Sequence, residues 1–157
     1  MTFTRHLGFL TETGGSPAAY ILKAGLVAIA GTIGVTLILS PFLPTSEASE
    51  SDQSAMVTGF VLVVVWPTIT TAVLSGLLGG AKRVMPTYWH AAAVSALGFS
   101  VVIGGLLGPI VGVVHVWPLF VYAVAFLAWQ LISNTHAWTI TIILHAAVNL
   151  IPSALLF

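Results

Sequence analysis

No cysteine occurs anywhere in the chain. Disulfides, thiolate chemistry and Cys-ligated metal are therefore excluded, and the redox state of the compartment leaves no mark. Charge is nearly as scarce: Asp, Glu, Lys and Arg make up 5% of the 157 residues, against 58% hydrophobic. The acids are Glu12, Glu47, Glu50 and Asp52; the bases are Arg5, Lys23, Lys82 and Arg83; from Val84 to Phe157 there is no formal charge. A soluble domain cannot keep its surface hydrated with so few, whereas hydrocarbon penalises each charge by a few kcal/mol. The composition points to an all-α integral membrane protein whose partner is the lipid bilayer. The formal net charge of zero offers a nucleic acid nothing to bind.

What remains is apolar sequence cut by breakers. A bilayer core takes roughly 20 residues of helix, and five such spans can be placed, at residues 18–39, 55–80, 88–108, 117–132 and 138–156. Ser40-Pro41 and Pro44 end the first, and a polar loop, Thr45 to Ser54, holds three of the four acids. Trp66-Pro67 predicts a kink in the second span, and Lys82-Arg83 with Pro86 ends it. Gly104-Gly105 and Gly108-Pro109 close the third; His115-Val116-Trp117-Pro118 reads as a further break, and Ser133-Asn134-Thr135-His136 as a turn. The patch after Arg5 and His6 is too short for a signal peptide before Glu12 and the Gly14-Gly15-Ser16-Pro17 turn, so the first span is expected to stay as an anchor behind an N-terminal segment, residues 1–17. All four bases fall on one side of this scheme and the acidic loop on the other. The positive-inside rule then gives a multi-pass cell-membrane protein with a cytoplasmic N-terminus. Trp89, Trp129 and Trp138 are expected at the inner interface and Trp117 at the outer one.

Two helical stripes stand out. Ala92, Ala96, Ser100, Gly104, Gly108 and Gly112 recur every four residues, a pattern that lets another helix approach closely, either within the chain or in a homo-oligomer. Thr141, His145, Asn149 and Ser153 form a polar stripe on the last span. It must face protein or water rather than lipid, either as a pocket or as an interhelical hydrogen-bond cluster. His145 and Asn149 lie one turn apart, so both can address one ligand. His115 stands between breakers, a place suited to a ligand. Thr68, Thr71, Ser75, Tyr122 and Gln130 are weaker candidates, because Thr and Ser often bond their own helix backbone. His90 and His136 read as interfacial. With no carboxylate in any span, an aspartic dyad or a carboxylate proton relay has no residues to work with; only a remote Ser75–His145 pairing is left, and no phosphate-cradling loop is present.

Residues 83–157 resemble the Abi domain of the CAAX prenyl protease and bacteriocin-processing (CPBP) family of intramembrane metalloproteases. That family's pattern is EExxxR, FxxxH and HxxxN. HxxxN is intact here as His145 and Asn149; FxxxH keeps His115, with Val111 in place of Phe; Arg83 matches the arginine, with Leu78 and Gly79 at the glutamate positions. The resemblance implies a degenerate, non-proteolytic member. Without the glutamate that activates water, and without an anionic metal partner, the histidines alone remain. It also requires His115, expected near one membrane face, to meet His145 deep in the last span through a break or re-entry near Gly108-Pro109. Metal and cofactor are not specified by the residues. The alternatives are a small subunit of a larger membrane complex, structural or ligating haem or pigment through histidine, and a minimal oligomeric transporter.

The topology is checked by labelling Ser49→Cys in a chain with no native cysteine. Modification by an impermeant maleimide is expected from outside the cell only; labelling solely from the cytoplasmic side reverses the orientation.

Overall fold

A computed structural model describes residues 7–42 and 55–154. All regular structure among them is helical. A short 3-10 turn, Gly8–Thr11, precedes α1, Pro17–Leu39. Ala55–Phe60, Val61–Val65 and Trp66–Ala81 run on without a break as α2, the middle stretch being a π-helical turn. Then come α3, Tyr88–Leu107, α4, Pro109–Gln130, and α5, Asn134–Ala154. The helices α1 to α4 are long and apolar enough to cross a membrane. α5 matches them in length with 21 residues, and past its first two turns its polar side chains Thr141 and His145 are buried. The result is an all-α membrane bundle.

The third span ends within a residue of its expected bound, whereas the fourth begins eight residues before its own. α4 starts at Pro109, and His115-Val116-Trp117-Pro118 lies inside it as unbroken helix. In water a proline ends a helix readily because solvent takes over the bonds of the broken turn; in a membrane no solvent replaces the remaining backbone bonds, and the helix continues past Pro118. The real break is one residue, Gly108, at φ 107° and ψ 147°. Only glycine enters that region without strain, and Pro109 supplies a fixed φ for the first turn of α4. At the other end of the hairpin, Asn134 already belongs to α5, because Ser133 caps it: the His136 N–H donates to Ser133 Oγ at 3.1 Å. Thr87 caps α3 in the same way, accepting from the His90 N–H at 3.3 Å.

α4 is the centre of the bundle. From Leu119 to Trp129 every residue is buried except half-buried Phe120, the signature of a helix enclosed by protein on all sides. The stripe of small residues explains one wall of that enclosure. Ala92, Ala96 and Ser100 are buried, and Gly104 and Gly112 face each other across the α3–α4 turn. The stripe therefore packs within the chain, with Gly112 on the partner helix rather than on α3 and Gly108 in the turn. α1 packs on α4 as well, where Trp117 Nε1 donates to the Val27 carbonyl at 2.8 Å and its indole fills the space a side chain on Gly31 would need. Trp117 is thus an α1–α4 clasp roughly 12 Å inside α4, not an outer-interface anchor.

One end of the bundle gathers the N-terminal turn, the α2–α3 loop and the α4–α5 turn. Tyr20 donates to the Leu10 carbonyl at 2.8 Å and meets Trp129 edge-on at 5.4 Å. Lys82 Nζ donates to Gln130 Oε1 at 2.6 Å, and Gln130 Nε2 to Asn134 Oδ1 at 2.9 Å. Gln130 is an interfacial linker for the lysine, and His90 and His136 are exposed at the same end. Lys82 and Arg83 are exposed there too; Arg5, the Thr45–Ser54 loop and its acids lie outside the described residues.

A methyl group on Gly112 would stand 2.6 Å from the Ser100 carbonyl oxygen and 2.8 Å from the Gly104 Cα. Both are backbone atoms that cannot step aside. Gly112→Ala is expected to destabilise the protein by about 1–3 kcal/mol, although alanine is the better helix former. Gly105→Ala, with nothing within 4 Å, should be neutral or mildly stabilising. Unfolding in detergent, followed by circular dichroism, compares the pair; equal stabilities would separate the two helices.

Candidate functional site

A proline and a π-turn in α2 organise the site. In the π register the Trp66 N–H reaches back to the Val61 carbonyl. The next donor in that register is Pro67, which has no N–H, so the Leu62 carbonyl is left over at membrane depth. Asn149 of α5 supplies what is missing: its Nδ2 donates to Leu62 O at 2.8 Å. The kink expected at Trp66-Pro67 is therefore a shift of hydrogen-bond register, and the polar stripe of α5 is in part the interhelical clasp considered above. Thr68 and Ser75 bond their own backbone, to Val64 O and Ala72 O, each at 2.8 Å. Ser75 does not line the cavity described next, so the Ser75–His145 pairing gains no geometric support.

Beside the clasp lies a cavity of about 330 Å³. All five helices contribute to it: Thr32 and Ile33 of α1, Trp66 and Thr70 of α2, Ile103 of α3, His115, Pro118 and Tyr122 of α4, and His145 and Asn149 of α5. Of the four pocket candidates His115, Thr141, His145 and Asn149, three, His115, His145 and Asn149, therefore meet; the side chain of Ser153, the last of the stripe, lies outside the described residues. No re-entrant segment is needed, because α4 begins at Pro109 and carries His115 roughly 9 Å into the bundle, toward His145 near the middle of α5. The fourth, Thr141, is buried one turn before His145 and does not line the cavity. The contributions of Thr70, Trp66 and Tyr122 were not singled out as a site. Tyr122 came closest, as an intramembrane polar residue, but nothing in a single sequence indicates which face of α4 meets α5.

The two histidines are held differently. His115 Nδ1 lies 2.8 Å from the Val111 carbonyl oxygen. A carbonyl only accepts, so this nitrogen carries the proton and Nε2 keeps its lone pair. His145 stacks on Tyr122 with ring centroids 4.4 Å apart and planes at 28°. It is buried, and its Nδ1 has no partner among the described residues. Thr70 Oγ1 and Thr141 Oγ1 are in the same condition. No formally charged side chain lines the cavity.

The donor set does not suit a metal. Among the described residues no group of three or more His, Asp or Glu side chains converges, and two neutral imidazoles without an anionic ligand make a poor site for a catalytic divalent ion. The register that aligns Arg83 with the family arginine also moves the glutamate positions away. Leu78 is fully buried and lies roughly 12 Å along α2 from Thr70, toward the end where Lys82 meets Gln130. Compared with family models, with curated proteins and with solved structures, the chain matches none.

The clasp makes a double-mutant prediction. Asn149→Ala should cost about 0.6–2 kcal/mol, the range for interhelical hydrogen bonds in membranes. Pro67→Ala restores an N–H that can reach the Leu62 carbonyl, so in that background Asn149→Ala should cost markedly less. Additive losses in chemical denaturation of the four proteins would mean that the two residues do not serve the same carbonyl.

Proposed function

We propose that the chain is a CPBP-like polytopic protein of the cell membrane, N-terminus cytoplasmic, that cleaves no peptide and holds a ligand within the bilayer. One observation carries the reading: His115, His145 and Asn149, the residues matching FxxxH and HxxxN, share one uncharged cavity at a depth only a membrane-dissolved or membrane-crossing molecule reaches. Largely apolar walls with a few convergent polar groups are the usual form of a small-molecule site. Proteolysis is a poorer fit. Hydrolysis of an amide is served by a group that deprotonates water and by donors or charge at the oxyanion, and the cavity wall offers no carboxylate as base and no cation. Asn149 is engaged by the Leu62 carbonyl, so the polar work at the cavity falls to the histidines and Thr70.

The purified protein, reconstituted with zinc or other divalent ions, is expected to leave fluorogenic peptides intact. Metal-dependent cleavage that disappears in His145→Ala would overturn the reading and require a base from outside the cavity wall.

A further inference from the structure

The chemistry of the cavity narrows its ligand, on the premise that it is a ligand site as proposed above. The wall on α4 presents hydrogen-bond acceptors. His115 Nε2 has a lone pair because Nδ1 is committed to Val111. One residue earlier, the Val114 carbonyl has lost its helical donor, since the residue four positions on is Pro118; Val114, His115 and Pro118 all line the cavity. Thr70 and His145 also line the cavity; these residues are 2% and 5% exposed, and Thr70 Oγ1 and His145 Nδ1 have no partner among the described residues. Buried polar atoms of this kind are costly unless something bonds them.

The remaining features set the charge and shape of the occupant. No Lys, Arg, Asp or Glu lines the cavity, so an ionic head would sit at membrane depth without a counter-ion, which is strongly unfavourable. The walls otherwise consist of Ile, Val, Leu and Trp side chains, with Thr32, Tyr122 and Asn149 as the remaining polar members. The cavity also reaches the outside of the bundle: Ile33 of α1 and Ile151 of α5 line it and are 53% and 51% exposed. Both lie on apolar helix faces that meet acyl chains. A molecule can therefore enter sideways from the lipid and leave its tail there. We infer that the cavity takes a neutral, hydroxyl-headed acyl lipid of the long-chain alcohol or diacylglycerol class, its O–H donated to the α4 acceptors and its chain passing out between Ile33 and Ile151.

Fluorescence quenching of the protein in phosphatidylcholine nanodiscs tests this, because Trp66 lines the cavity. The probes share a brominated twelve-carbon chain and differ only in the head: alcohol, trimethylammonium, carboxylate or none. The alcohol is expected to quench a saturable fraction at low mole fraction in the lipid, while the headless bromoalkane quenches only in proportion to its concentration. His115→Phe should weaken the saturable phase roughly fivefold to tenfold, as loss of one membrane hydrogen bond does. Ile33→Trp, a lipid-facing change that leaves the polar groups intact, should block it by narrowing the mouth. His90→Phe, at the exposed end of α3, should not affect it. Saturation by a charged probe in preference to the alcohol overturns the ligand class but leaves the cavity as a binding site. Saturation by none of the four overturns the ligand-site reading itself. Alcohol saturation untouched by either His115→Phe or Ile33→Trp places the binding elsewhere and overturns the inference.

Discussion

In hydrocarbon every peptide carbonyl must find a donor within the protein, because no water can take the place of one. Among the described residues prolines stand inside α2, α4 and α5, at Pro67, Pro118 and Pro152, and the carbonyls released by the first two bear on the candidate site. The first, Leu62 O, is met by the Asn149 amide at 2.8 Å, and that bond fixes how α5 lies against α2. The second, Val114 O, has no N–H at Pro118 to accept from, and Val114 lines the cavity beside His115. A structural clasp and one wall of the candidate site thus trace to the same constraint: one freed acceptor is met by a side chain of another helix, and the other belongs to a residue that lines the cavity.

Close approach governs the other half of the molecule. α3 and α4 touch through Gly104, Gly112 and the Ser100 carbonyl, and α1 meets α4 through an indole seated over Gly31. Neither contact depends on expelling water, since lipid surrounds the outside as well. Packing of small residues and a few directed hydrogen bonds supply the specificity instead. The cavity lies where these tight contacts stop, between the Trp117 clasp and the Asn149 clasp. Its position follows from the places where the helices cannot close.

Much of the architecture was legible in residues 1–157 because glycine, proline and charge mark the ends of helices whatever the solvent. Pro17, Pro41, Lys82, Gly108 and Ser133 each stand within a residue or two of a real boundary. The difference at His115–Pro118 has a physical origin, since proline is a reliable breaker only where water can bond the backbone of the broken turn. Which helix is central was not legible. Only 17% of the most apolar stretch of α1 is buried, against 56% for α4, yet both read as uniformly hydrophobic; in a bilayer, apolar residues suit the core and the exterior alike. The polar stripe did identify α5 as facing inward. Its spacing could not tell that Asn149 was answering a proline on another helix, or that Thr70 and Tyr122 would complete the cavity wall.

The single-residue link at Gly108 bears on how the chain enters the membrane. Most neighbouring spans are separated by a polar segment that waits at the far surface while the second helix is inserted. Here nothing polar is available to wait: Leu106, Leu107, Pro109 and Ile110 flank the glycine. α3 alone would leave its small-residue face against lipid and its last carbonyls exposed at the apex. The two helices therefore have reason to cross together as a preformed wedge, tip first, with the Gly104–Gly112 contact already made.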